Sequence, residues 1–138
     1  MASLVYNSCI DYVCKGSIDF DTDTFKMMLV TDAYTPSKSH DFRNDVTNEV
    51  TGTGYTTGGN AATPTVTKDN TNNRVDVSWT ITSWTSSTIT ARAGVIYKSR
   101  GGASSADELV GYVDFGSDIS STSGTFSVTI TSPLRFQN

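Results

Sequence analysis

Asp19, Asp21 and Asp23 stand at alternate positions, the first spacing in the chain that could do chemistry. In an extended segment the three carboxylates share one side and offer hard oxygen donors to a cation such as calcium. The spacing opens like an EF-hand loop and then leaves it. Thr24 stands where that loop turns on Gly, and Val30 where it needs a bidentate Glu. A charged turn that deters edge pairing is the simpler reading, and neither a metal ligand nor any other cofactor is assigned.

His40 is the single histidine, and Asp41 beside it makes no relay, because a hydrolytic triad also needs a nucleophile on a strained elbow. No Gly-x-Ser-x-Gly pattern supplies one. Cys9 and Cys14, the other nucleophiles, fall on what reads as the inner side of a short helix, where burial disfavours the thiolate. Gly52, Gly54, Gly58 and Gly59 look like a phosphate cradle only superficially, since no Lys-Ser/Thr follows and no strand-turn-helix surrounds them. They read as a flexible surface loop. Fourteen acidic residues leave room for a glycosidase-like pair, but nothing singles out two of them. The chain therefore reads as a non-enzyme.

Binding without turnover is the remaining chemistry. Trp79, Trp84, Tyr34, Tyr55, Tyr97 and Tyr112 could offer aromatic faces to sugar rings. Trp79 aligns with Val75 and Val77 and so belongs to a core, whereas Tyr55 and Trp84 fall in loops and are the exposed candidates. Near the C-terminus, Leu134 and Phe136 could insert into a neighbouring molecule while Arg135 pairs with an acid. Equally, they could complete the chain's own core. The interface candidates are thus Leu134, Arg135, Phe136, Tyr55 and Trp84.

The elements that must position these residues are mostly strands. Ser and Thr occupy about forty positions and charged residues only 17%, a mixture that suits strands with hydroxyl-rich faces joined by turns. Residues 7–15 predict a short helix, with Cys9, Ile10, Val13 and Cys14 on its inner face, Asn7 or Ser8 as cap and Gly16 as stop. Phe25 to Thr31 is almost continuously apolar and predicts a central strand covered on both faces. Asp41 to Val50 reads as a turn followed by a strand. Period-two alternation then recurs through Val75, Val77 and Trp79, through Ile89 to Tyr97, through Leu109 to Phe115, and through Phe126 to Ile130. Ser99 to Asp107 and Gly116 to Gly124 read as hairpin connections. About eight strands predict an all-β fold, a two-sheet antiparallel sandwich of which the jelly roll is one form, in a single domain spanning residues 1–138.

A net charge of −4 and a pI near 4.7 argue against nucleic acid or an anionic membrane as partner. Up to Asp69 the chain carries five basic and nine acidic residues, and afterwards five of each, so the surplus lies in the first half. No apolar run is long enough to span a bilayer and the N-terminus lacks the features of a signal peptide, so synthesis and assembly in a host cytoplasm are expected.

Several stretches carry a resemblance to a known family: Gly16-Ser17-Ile18-Asp19-Phe20 running on to Val30, Tyr34-Thr35-Pro36, His40-Asp41-Phe42, Glu49-Val50-Thr51-Gly52-Thr53-Gly54-Tyr55-Thr56-Thr57-Gly58-Gly59, Ala93-Gly94-Val95-Ile96-Tyr97-Lys98 and Leu109-Val110-Gly111-Tyr112-Val113-Asp114-Phe115. Together they cover most of the chain, which resembles small virion structural proteins of tailed bacteriophages. The resemblance implies a capsid decoration or cement protein that bridges major capsid protein subunits as a homo-oligomer, dimer or trimer, and it brings no catalytic residues. A tail or fibre component binding host surface glycan through Tyr55 and Trp84 is the alternative.

Overall fold

The computed structural model describes residues 2–138. In chain order the elements are β1 (Leu4–Val5), α1 (Asn7–Cys14), β2 (Phe25–Val30), β3 (Asn60–Asp69), β4 (Arg74–Ile81), β5 (Trp84–Lys98), β6 (Leu109–Phe126) and β7 (Leu134–Gln137). Short 3₁₀ turns at Arg43–Asp45 and Ser104–Ala106 punctuate the connections. The all-β expectation is met. The ladders, however, join all seven strands into one antiparallel sheet, ordered β1-β6-β5-β2-β3-β4-β7, where the sequence suggested two stacked sheets.

One reason lies in the lengths of β5 and β6, which run 15 and 18 residues. Gly116 to Gly124, expected to be a hairpin connection, instead continues β6. Hydroxyl pairs across the ladder sustain it, with Thr90 Oγ1 to Ser120 Oγ and Ser87 Oγ to Ser121 Oγ each 2.8 Å apart. Four register shifts interrupt the β5/β6 ladder, and such bulges bend and twist a sheet. At the shift between Ala91 and Ala93, β5 changes face. Ile89 and Ala91 join the main core cluster, while Ala93, Val95 and Tyr97 join the second.

Strand β2 occupies the centre of the order, as its apolar run predicts. Phe25, Met27 and Leu29 enter the main cluster, and Met28 and Val30 enter the second. Phe20, Phe25 and Trp79 form an aromatic knot in the main cluster, with centroids 5.4 to 5.8 Å apart. Such a pair adds roughly 1 kcal/mol beyond its buried area. The β3/β4 hairpin follows the expected alternation: Val77, Trp79 and Ile81 are buried, and Ser78 and Thr80 are exposed.

Helix α1 keeps its predicted place but is turned. Ser8 and Cys9 are buried, Tyr12 and Val13 pack against the core, and Ile10 and Cys14 lie outside. Ser8 Oγ donates to the Leu109 carbonyl at 3.0 Å, so a polar tether from β6 sets the rotation in place of the apolar stripe. Tyr6 stands at the cap position and its side chain makes no capping bond, where Asn7 or Ser8 was expected. Gly16 ends the helix at φ +78°, its N–H donating to Val13 and that of Ser17 to Tyr12.

The glycine-rich stretch from Gly52 to Asn60 is docked rather than flexible. One Glu49 oxygen accepts the Tyr55 hydroxyl at 2.6 Å and the Gly58 N–H at 2.7 Å. The Tyr55 oxygen accepts the Leu29 N–H at 2.9 Å, and Tyr97 donates to the Gly58 carbonyl. Val50 reaches Leu29 by its own N–H at 2.9 Å, although the strand expected after the 3₁₀ turn reduces to one bridge between Glu49 and Val30. Gly59 has φ +78°, and a Cβ there would lie 1.8 Å from the Met27 carbonyl oxygen.

Gly59→Ala is expected to cost at least ~3 kcal/mol, because it adds a backbone overlap to the left-handed conformation. Gly101 has φ +79° with nothing within 4 Å of a Cβ, so Gly101→Ala should cost only about 1–2 kcal/mol. Urea unfolding of the two variants beside the parent measures the difference.

Candidate assembly surface

The residues whose chemistry was suggestive are mostly engaged inside the fold. His40 Nδ1 lies 2.9 Å from the Tyr34 hydroxyl, which lies 3.0 Å from that of buried Tyr6. Burial, reinforced by Tyr34, pushes the Tyr6 phenol well above its ordinary range. Asp41 directs its backbone N–H to Asp45 Oδ2, so the adjacent His and Asp serve separate contacts. Asp107 and Glu108 are buried. The first binds Arg43 at 2.8 Å, and the second takes Arg100 in a two-pronged pair at 2.7 and 2.8 Å.

Asp19, Asp21 and Asp23 do not form the extended face the alternation suggested. Asp19 Oδ1 accepts the Asp21 N–H, Asp23 Oδ2 accepts the Asp19 N–H, and the same Asp23 oxygen binds Lys98 Nζ at 2.8 Å. A folded turn stapled to β5 results. Among the described residues no group of three His, Cys, Asp or Glu converges as a metal site would.

The interface candidates divide. Trp84 is 1% exposed, lies at the start of β5 and not in a loop, and packs edge-on against Phe126. Tyr55 stacks on it with an interplanar angle of 22°. Both expectations of exposure are corrected. The small, turn-like residues around these rings hide their burial, which depends on the docked glycine loop closing over β5. At the other end of the chain, β7 pairs with β4, and Arg135 holds Asp76 through two bonds at 2.7 and 3.1 Å. Leu134 packs on the chain's own core. Phe136, opposite Val75 in the ladder, remains 40% exposed.

Position in the sheet then defines the surface. β1 and β7 are its two ends, each with one unpaired edge among the described residues. The sheet curls until Leu4 and Val5 line one apolar cleft together with Trp79, Pro133 and Leu134, a space of about 530 Å³. A shallower groove lies beside Val66, Val75 and Phe136 under the turn after α1. Neither the cleft nor the exposure of Ile10 and Val66 is readable from local sequence. Ile10 looked internal by period, and Val66 sits between two threonines on β3, where alternation does not mark its outward face. No helix among the described residues is long and apolar enough to cross a membrane.

Two measurements test this distribution. Cys9 is buried, and desolvation pushes its thiol up to about 12, whereas Cys14 is exposed. A disulfide reagent such as DTNB should therefore label one thiol per native chain, Cys14, and reach the second only on unfolding. Bonds from Arg135 to Asp76, from backbone N–H groups to Asp45, Asp19 and Asp114, and from Asn72 to Asp69 hold these carboxyls below their ordinary values. The unfolded chain binds more protons than the folded one as acid is added, so the stabilisation is complete above the unfolded pKa, near 4. It drains away as pH falls through the folded values. The melting temperature should be level between about pH 5 and 7 and drop below about pH 4, with a smaller drop for Asp76→Asn.

No protein-family model, curated protein or solved structure matches this chain.

Proposed function

We propose that the chain is a structural component of a tailed-bacteriophage particle, a decoration protein on the capsid surface that bridges major capsid protein subunits and stabilises the shell. One observation carries the reading: among the described residues, unpaired strand edges and exposed apolar side chains coincide at the two ends of the sheet. Phe136 lies on edge strand β7, and Ile10, 53% exposed, lines the cleft beside edge strand β1. Edges and apolar side chains are what one protein offers another. The histidine and the buried acids, by contrast, are occupied by bonds within the fold.

A cement protein works by adding contact area across joints between shell subunits, and repetition around a closed lattice multiplies a modest contact into a large resistance. A dimer or trimer of the chain would extend each bridge. We read the single sheet, curled about the main core cluster, as a sandwich-like rigid body suited to that task. Assembly in the host cytoplasm and residence in the virion follow from the same reading. The acidic balance favours protein over nucleic acid as partner. The alternative, a tail or fibre component binding host glycan, loses its platform with the burial of Trp84 and the stacking of Tyr55 upon it.

Purified chain mixed with undecorated shells should co-sediment with them, raise their melting temperature and give ordered density at repeated lattice positions in reconstructions. Shells that sediment bare, or mature particles lacking the chain, would overturn the proposal.

A further inference from the structure

We propose that the cleft between the two ends of the sheet is a docking site for an extended segment of a partner protein, apolar along one side and carrying a carboxylate. The inference rests on the reading of the chain as an assembly component and deepens it by naming the surface and the chemistry of what enters it.

Backbone supply is the first support. A barrel removes strand edges by closing, and this sheet stops short of closure. β1 and β7 each keep an unpaired edge among the described residues, and Leu4 and Val5 face Pro133 and Leu134 across the gap. An extended chain laid along β1 gains main-chain hydrogen bonds, the common mode by which an open sheet edge takes a peptide.

The lining is the second. Val5, Ile10, Trp79, Ile96, Val110 and Ile130 make its walls mainly apolar. Gly111 faces Val5 across the β1/β6 ladder. A Cβ at Gly111 would meet only the Leu4 carbonyl oxygen, at an ordinary 3.5 Å. The wall is thus open where a larger residue would fit without moving the backbone.

Charge is the third. Lys38 is the single charged residue of the lining, and its ammonium has no carboxylate partner among the described residues. In a chain of net charge −4, an unspent cation at the mouth of an apolar cleft favours a segment bearing an acid and disfavours one bearing a base.

The test is an NMR titration of the full chain with two blocked synthetic hexapeptides of alternating valine and threonine, one containing a central glutamate and the other a lysine. The glutamate peptide should shift the amide signals of Leu4, Val5, Gly111 and Leu134 saturably and bind about tenfold more tightly than the lysine peptide. Lys38→Glu, at an exposed position, should reverse that order. Gly111→Val should abolish binding of both while keeping the parent circular dichroism spectrum; should it fail to fold, the Lys38→Glu reversal still decides. Absence of saturable shifts, or equal binding of the two peptides, would overturn the assignment. So would oleate outcompeting the glutamate peptide at the same signals, which would make the cleft a lipid site, or self-association at those signals, which would assign it to a second copy. Failure of the two readings is separable. Shell binding that survives Gly111→Val removes the cleft and leaves the decoration role, whereas peptide binding without shell binding does the reverse.

Discussion

Strand β2 has no face to give to water. Phe25, Met27 and Leu29 point to one side and Met28 and Val30 to the other, so each side must be covered by something else in the chain. Phe20, Trp79 and α1 contribute to the cover on one side. Tyr6, Tyr34, Tyr97 and Tyr112 contribute on the other. Glu49 is the clasp. Its carboxylate gathers Tyr55 and Gly58 and thereby holds the glycine loop against the backbone of β2 and over the start of β5. Tyr55 and Trp84 are stacked rather than exposed for the same reason.

Much of the framework was legible because it is written in local periods. The apolar run of β2, the alternation of Val75, Val77 and Trp79, and the stop at Gly16 each depend on neighbours along the chain. Failures occurred where distant residues decide. Cys14 and Ile10 looked internal by spacing, but a hydroxyl bond from Ser8 to β6 turns the helix away from that stripe. Gly116 to Gly124 looked like a loop by composition, yet hydroxyls on β5 make it strand. The number of sheets depends on whether bulges bend two long strands or break them, and no local period reports that. At the surface, Arg135 and Phe136 were found as candidates by type. Their division, one bonded to Asp76 and the other left 40% exposed, belongs to the β4/β7 register.

Residues that invite catalytic readings are here turned to holding shape. A lone histidine ends a chain of tyrosine hydroxyls, the alternate aspartates tie a turn to Lys98, and adjacent buried acids fasten Arg43 and Arg100. Buried polar groups need partners, and desolvation makes one left alone costly. Lys38 is different, an exposed lysine that lines the apolar cleft and has no carboxylate partner among the described residues.

Strand length along the sheet also sets how the molecule would carry tension. β1 contributes two residues and β7 four, at opposite margins, whereas β5 and β6 share the longest ladder, between β1 and the central β2. A pull on either end of the polypeptide first meets a short ladder at a margin, which can peel bond by bond. The interior strands, locked by side chains on both sides, then bear what remains. Short margins beside long inner ladders thus set the order in which strands would part under load, edges before interior.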